Sequence, residues 1–200
     1  MVIGNIFRKL RTPLTRIYVI LLAFLAIVST SKWDITGSFL FLSGTFLVGI
    51  ATIGRVWCSM YISGYKSKSL ITTGPYSLCR NPLYCFSFLG GVGVGLATET
   101  FTIPFLVIIV FVLYYPTVIQ REQKRLSQLH NDKYKEYCDK TPCFLPSLSN
   151  FNEPAEYLSN PIIFRRSIFD NLGFIWLVGV ARLISGLHHA NIIPSYFSLY

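Results

Sequence analysis

Long apolar runs, separated by short basic segments, constrain this chain more than any other feature. Hydrophobic residues make up 52% of the chain, charged residues make up 14%, and the mean hydropathy is +0.49. Water-soluble domains rarely show this balance. Four runs come near the ~20 residues that a helix needs to cross a bilayer. We therefore predict an all-α integral membrane protein with four transmembrane helices, over residues 14–30, 35–56, 83–97 and 101–119.

The third and fourth runs are separated only by residues 98–100, which predicts a helical hairpin. Residues 120–140 are strongly charged with an apolar side, which predicts an amphipathic cytosolic helix that Pro142 ends. A further apolar segment, 168–187, either spans the membrane or lies flat on it. Polar residues in this segment are costly in lipid unless they are paired. They are Asp170, Asn171 and Arg182.

The basic residues predict the orientation. With the N-terminus in the cytosol, sixteen of the 18 Lys and Arg residues fall on the cytosolic side, as the positive-inside rule requires. The exceptions are Lys32, which falls outside, and Arg182, whose side depends on the last apolar segment. Juxtamembrane anchoring to lipid head groups explains the net charge of +9 without a nucleic-acid partner. We expect a cytosol-facing active site, in a bacterial inner membrane rather than the endoplasmic reticulum.

The length of 200 residues predicts one membrane domain, 1–200, with no second unit. The five cysteines include no CxxC pair, and no histidine lies at metal-ligand spacing from them. We therefore predict no metal site. Nothing in the sequence predicts an oligomeric state.

Two polar segments flank the predicted hairpin, and we call them the first and second islands. The first runs from Gly74 to Tyr84 and the second from Arg121 to Leu126. Because a hairpin returns the chain to the side where it began, the islands are expected to be neighbours that enclose a charged small molecule. Pro82 suits the first turn of a helix, since its missing N–H would have no partner there.

The islands carry a resemblance to a known family. The run from Arg80 to Tyr84, Arg-Asn-Pro-Leu-Tyr, is similar to the Arg-(His/Asn)-Pro-x-Tyr signature of the isoprenylcysteine carboxyl methyltransferase and phospholipid methyltransferase superfamily. A second stretch resembles the family's acidic pair, Tyr-x-x-Tyr and terminal proline, through Glu122, Tyr134, Tyr137 and Pro146. The resemblance covers about residues 54–146. It departs at Gln123, which stands for the second acid and carries no charge.

The resemblance implies S-adenosylmethionine as methyl donor and a lipophilic acceptor that enters from the bilayer, either an isoprenylcysteine-like carboxylate or a lipid amine. Methyl transfer at a sulfonium is an in-line displacement, so the protein mainly aligns the reactants and needs no nucleophile of its own. The implied cofactor contacts are Tyr76, Arg80, Asn81, Pro82, Tyr84, Gly91, Gly93 and Glu122. The implied catalytic residues are Arg80 and Arg121.

Each implied role has an expected partner. Arg80 is expected to bind a carboxylate of the donor or acceptor, with Tyr84 stacking or hydrogen-bonding beside it. Glu122 is expected to hold a ribose hydroxyl or the donor amine, and Arg121 to neutralise an acidic acceptor. A lipid anchor is the alternative for Arg80, and a surface ion pair with Arg125 is the alternative for Glu122.

Other functions stay open at this stage. The glycines between Gly90 and Gly95 contain a small-xxx-small pattern that also serves helix packing. An NADPH-dependent reductase of the sterol-reductase type has a similar signature, although such proteins usually carry Asn where this chain has Leu83. A non-enzymatic membrane protein is the third alternative, and a carrier of this kind would be expected to show mid-span polar groups or repeated halves.

Overall fold

A computed structural model describes residues 17–32, 35–63 and 69–200 of the chain. Residues 14–16 at the start of the first predicted span lie outside the described residues. So do the basic residues that precede it, residues 33–34, and Lys66 and Lys68 of the predicted cytosolic side.

The described residues form helices almost throughout. The helices are α1 (Ile17–Val28), α2 (Ile35–Ile62), α3 (Pro75–Leu78), α4 (Pro82–Leu96), α5 (Thr102–Lys140) and α6 (Pro161–His189), with a 3₁₀ turn at Leu148–Asn150. The short strands β1 (Ser29–Ser31) and β2 (Phe197–Leu199) pair in parallel. The prediction of an all-α membrane protein is confirmed.

Three of these helices, α2, α5 and α6, are long and apolar enough to cross a membrane, whereas α1 and α4 are shorter apolar helices. Their outward faces carry large apolar side chains such as Phe46, Leu113 and Trp176, which are 68%, 73% and 74% exposed. Lipid is the solvent that such faces require.

Helix α4 lies at the centre and packs against α2, α5 and α6. Close approach to α2 depends on glycine, because a Cβ on Gly44 would lie 2.5 Å from the carbonyl oxygen of Gly93 and 2.6 Å from the nitrogen of Ala97. The adjoining core contains Val48, Ala97 and Val178. The α4–α5 hairpin that the sequence predicts is therefore present and embedded in the bundle.

The amphipathic helix over residues 120–140 is not a separate element, which corrects the sequence-based boundary. Helix α5 extends from Thr102 to Lys140 and continues through residue 120, with a kink at Asn131, whose dihedral angles are non-helical. Pro116 removes one hydrogen-bond donor just before the charged part, but residues 117–130 contain no glycine or proline, so helical hydrogen bonding continues across residue 120. The helix ends two residues before Pro142, as predicted.

Two of the three polar residues of α6 have partners on other elements of the bundle. Asn171 is 1% exposed and accepts a 2.9 Å hydrogen bond from Arg55 of α2. Arg182 forms a 3.1 Å ion pair with Glu99 in the α4–α5 connection. These pairs reduce the cost of polar groups in lipid and favour the spanning alternative for α6.

Candidate functional site

The two islands meet at a cavity between the segment that precedes α4, α4 itself and the charged half of α5. Five of the residues proposed from the sequence as cofactor contacts line it: Tyr76, Arg80, Asn81, Tyr84 and Glu122. The other lining residues were not proposed from the sequence as cofactor contacts. They are Ile62, Ser69, Leu70, Ile71, Leu83, Arg125, Leu126 and Tyr137.

A direct hydrogen bond joins the islands across this cavity. The Tyr84 hydroxyl, one turn into α4, donates to Oε2 of Glu122 at 2.7 Å. The ring of Tyr84 also meets the ring of Tyr115 edge-on, with centroids 5.4 Å apart. Tyr84 therefore fixes the position of the one carboxylate among the described residues that line the cavity.

The Arg80 motif is held by the chain that follows α5. The Arg80 backbone nitrogen donates to the Pro142 carbonyl at 2.8 Å, and Nδ2 of Asn81 donates to the Cys143 carbonyl at 2.8 Å. Pro82 is buried and begins α4, as the sequence predicts. The motif is therefore held between α4 and the segment that follows α5. Asn81 contributes to this contact and also lines the cavity.

The Arg80 guanidinium has one buried N–H donor without a hydrogen-bond partner among the described residues. One terminal nitrogen donates to Sγ of Cys138 at 2.7 Å. Its buried Nε has no hydrogen-bond partner among the described residues. A buried donor without a partner is costly, and an anionic group in the cavity would satisfy it with a charge-assisted bond.

The remaining polar groups of the first island stay neutral. Burial raises the pKa of Tyr76 well above its ordinary value and raises the pKa of Cys79 to about 12. The Tyr137 hydroxyl donates to the Tyr76 carbonyl at 2.6 Å, which fixes the tyrosine backbone. The Cys79 thiol is therefore neither charged nor accessible enough to act as a nucleophile.

Besides Pro82, three residues of the predicted site are not among those that line the cavity. Arg121 is exposed and is not among the cavity-lining residues. A Cβ on Gly91 would meet Val107 of α5 at 3.2 Å, and one on Gly93 would meet Leu47 of α2 at 3.0 Å. Both glycines therefore have a packing role, and any contact of these three residues with a cofactor or acceptor stays a prediction.

The departure at Gln123 also has a structural setting. Its Nε2 donates to Sγ of Cys143 at 3.1 Å, so the side chain faces the segment after α5. It borders an apolar groove on the reverse side of α5, together with Tyr115 and Phe144. Its neutral amide therefore adds no charge to the site.

For two of the lining residues not proposed as cofactor contacts, the sequence spacing indicated a position near the site. Arg125 and Leu126 lie three and four positions after Glu122, so helical spacing places them on the same face. The contacts of Cys138 with Arg80 and of Cys143 with Asn81 carried no such signal, because they depend on how the end of α5 and the segment after it pack against the first island.

The fold and the site define an integral membrane protein with a polar cavity built on an Arg-Asn-Pro-x-Tyr motif. The chain belongs to the phospholipid methyltransferase family, whose model matches residues 33–133. Family membership indicates methyltransferase activity in a membrane.

Two curated relatives extend over nearly the whole chain. The nickel-cobalt-cadmium resistance protein NccN of Alcaligenes xylosoxydans xylosoxydans is 37% identical over 94% of this chain and 89% of its own length. The cobalt-zinc-cadmium resistance protein CzcN of Cupriavidus metallidurans (strain ATCC 43123 / DSM 2839 / NBRC 102507 / CH34) is 33% identical over 98% of this chain and 92% of its own length. No solved structure matches the chain.

Proposed function

We propose that this chain is an S-adenosylmethionine-dependent membrane methyltransferase that acts on a lipophilic acceptor carrying a carboxylate or an amine. One observation carries the proposal: Arg80 and Glu122, from separate islands, line one cavity at the end of an apolar bundle. The family that the chain belongs to supports the methyltransferase class.

The side chains of the cavity complement the polar groups of the donor. The unpartnered Nε of Arg80 is suited to the amino-acid carboxylate. Glu122, held by Tyr84, is suited to a ribose hydroxyl or the ammonium group. Leu83, Leu126 and neighbouring residues give the cavity apolar walls beside these polar groups.

The chain's own contribution to the reaction is alignment and electrostatics. When bound, the donor supplies an activated methyl group on a sulfonium. Arg80 and Glu122 orient its polar end, which converts an encounter between two molecules into a reaction within one site. No protein nucleophile is needed, which agrees with a neutral, buried Cys79.

We place the enzyme in a bacterial inner membrane with the cavity facing the cytosol. The basic second island extends beyond the apolar half of α5, on the side that the positive-inside rule assigns to the cytosol. The names of the relatives add a physiological setting, in which methylation by this chain supports tolerance of divalent metals such as nickel, cobalt or cadmium.

The function is tested with washed membranes from expressing cells, incubated with methyl-tritiated S-adenosylmethionine. We expect label in lipid or membrane protein above the empty-vector background, and a loss of at least about tenfold in Glu122→Gln and Arg80→Gln. Lys124→Gln, an exposed cation on the same helix, is the matched control and should retain wild-type labelling. Absence of label, with oxidation of NADPH by the same membranes, would replace this proposal with a reductase.

A further inference from the structure

We propose that this protein has a second binding site, at the end of the bundle opposite the candidate site, and that His188 and Glu99 bind a divalent transition-metal ion there. The inference goes beyond the proposed methyl transfer and does not depend on it.

The second site is a small cavity, which we call the His188 pocket. It lies between the last turns of α6, strand β1 and the connection between α4 and α5. Its volume is about 140 Å³. One water molecule needs roughly 10–15 Å³ of such space, so the pocket has room for an ion together with several water molecules.

His188 is the residue that points to a ligand. It lies on the last turn of α6, lines the pocket and is only 8% exposed. Neither Nδ1 nor Nε2 of its ring has a hydrogen-bond partner among the described residues. Buried polar atoms are nearly always paired, so a ring with two unpaired nitrogens calls for a further group. In the neutral ring one nitrogen carries a lone pair, which is the atom with which histidine binds metals.

Glu99 supplies a carboxylate to the same pocket. It lies in the α4–α5 connection and is 8% exposed. Oε1 accepts a 3.1 Å hydrogen bond from Arg182, and Oε2 accepts a 3.2 Å hydrogen bond from the Ser185 hydroxyl. Each carboxylate oxygen has a second lone pair that is able to bind a cation. The Arg182 side chain is 61% exposed, so it can turn into the solvent when an ion takes its place.

The remaining polar groups of the pocket offer lone pairs rather than protons. The Ser29 hydroxyl donates to the Leu25 carbonyl at 2.6 Å, so its oxygen is left to accept. His189 donates from Nδ1 to the Ser185 carbonyl at 2.8 Å, which leaves Nε2 of the neutral ring as an acceptor. Metal-ligating histidines usually donate their second N–H to a carbonyl or a carboxylate in this way. A cation is therefore the kind of ligand that the lining complements.

The types of ligand select the class of cation. An imidazole nitrogen combined with a carboxylate oxygen suits zinc, nickel, cobalt and copper, whereas magnesium and calcium prefer oxygen ligands alone. In the described part of the chain, no three His, Cys, Asp or Glu side chains are arranged to hold one metal ion. The protein therefore supplies two ligands, and water completes the coordination of an open, exchangeable ion.

The sequence predicts no metal site, because ligand spacing is read along the chain. Glu99 and His188 belong to segments that are far apart in the sequence. The contact of α6 with the α4–α5 connection, through Arg182 and Ser185, brings them to one pocket.

Calorimetric titration tests the site directly. The full chain is purified in detergent without a polyhistidine tag, freed of metal with a chelator, and titrated separately with NiCl₂, ZnCl₂ and MgCl₂. His188→Gln and Glu99→Gln each remove one proposed ligand. His130→Gln, on the charged half of α5, is the matched histidine control. Arg182→Gln removes the cation that competes for Glu99.

We expect saturable binding of Ni²⁺ or Zn²⁺ and no binding of Mg²⁺ at the same concentrations. The affinity should fall at least about tenfold in His188→Gln and Glu99→Gln and stay at the wild-type value in His130→Gln. It should rise about threefold in Arg182→Gln, because a competing positive charge is removed. A variant that fails to fold cannot produce such a rise.

Absence of Ni²⁺ and Zn²⁺ binding in the wild type would overturn the inference. Binding that His188→Gln retains would be adventitious binding at other groups and would overturn it as well. Equal binding of Mg²⁺ would overturn the choice of a transition metal. The titration contains no S-adenosylmethionine, so each of these outcomes leaves the proposed methyl transfer standing.

Discussion

At the scale of single residues, the contact between Tyr84 and Glu122 gives the site its geometry. A glutamate side chain has many rotamers, and the 2.7 Å hydrogen bond from Tyr84 restricts those of Glu122. The cost of ordering Glu122 is then met in the folded protein rather than on ligand binding. Preorganisation of this kind raises affinity without a new contact to the ligand.

We predict that Tyr84→Phe weakens S-adenosylmethionine binding about fivefold to tenfold, because a hydrogen bond to a charged group contributes about 1.5–3 kcal/mol and part of it is regained by water. Calorimetry on detergent-purified protein measures the effect. Tyr196→Phe removes a hydroxyl from a side chain that is 71% exposed and should leave the affinity unchanged. Wild-type affinity in Tyr84→Phe would mean that Glu122 is oriented by other contacts.

The sequence predicted that the two islands are neighbours, whereas contacts of their residues with a cofactor stay a prediction. Arg80, Asn81, Tyr84 and Glu122 line one cavity, as the hairpin argument requires. Arg55 was treated only as a topological marker, because its partners Asn171 and Ser87 lie 116 and 32 positions away. Contacts of that sequence separation depend on the bundle and cannot be obtained from local periodicity.

At the scale of elements, α4 sets how closely the bundle packs. Its glycines face α2, α5 and α6, and the backbone of Gly93 lies against Gly44. Lipid gives no hydrophobic driving force for helix association, so close backbone contact must supply the dispersion energy. This explains why a pattern that also permits cofactor approach serves helix packing here.

We predict that Gly44→Ala destabilises the protein by about 1–3 kcal/mol, because its Cβ would overlap the α4 backbone, which cannot move without repacking the bundle. Thermal unfolding in detergent measures the loss. Gly49→Ala, on the same helix, places a Cβ with nothing within 4 Å and should be neutral or slightly stabilising. Similar unfolding temperatures for the two variants would contradict the close α2–α4 contact.

The elements also show where sequence reasoning reached its limit. The apolar runs predicted most of the ends of α2, α4 and α5 to within a few residues, since a helix in lipid needs a continuous apolar sequence. The predicted boundary at residue 120, between the fourth span and a separate amphipathic helix, was wrong. The polarity of the sequence changes at that point, but its helix propensity does not. The start of α6 at Pro161 was missed because Arg165, Arg166 and Ser167 separate its apolar first turn from the apolar segment that begins at Ile168.

At the scale of the whole molecule, segments that are far apart in the sequence are hydrogen-bonded to each other at the end of the bundle opposite the cavity. Strand β1 follows α1 and pairs with β2 near the C-terminus, and Lys32 donates to the Leu199 carbonyl at 3.1 Å. The Phe101 nitrogen, at the start of α5, donates to the Tyr200 carbonyl at 2.7 Å. These contacts put β1, the α4–α5 connection and the segment after α6 on one side.

We predict that this side is extracytoplasmic. Alkaline phosphatase fused after Tyr200 should be active and a green fluorescent protein fused at the same position should be dark, because phosphatase folds only outside the cytosol. The same reporters inserted after Ser149, in the exposed 3₁₀ turn on the cavity side, should give the reverse pattern. Cytosolic reporters at both positions would mean that α6 lies flat rather than crossing.

The most direct test of the account is calorimetric titration of detergent-purified protein with S-adenosylmethionine and, separately, with NADPH. We predict saturable binding of S-adenosylmethionine, an affinity at least about tenfold lower in both Arg80→Ala and Glu122→Ala, and no binding of NADPH. Binding of NADPH alone, or S-adenosylmethionine binding that both variants retain, would contradict it.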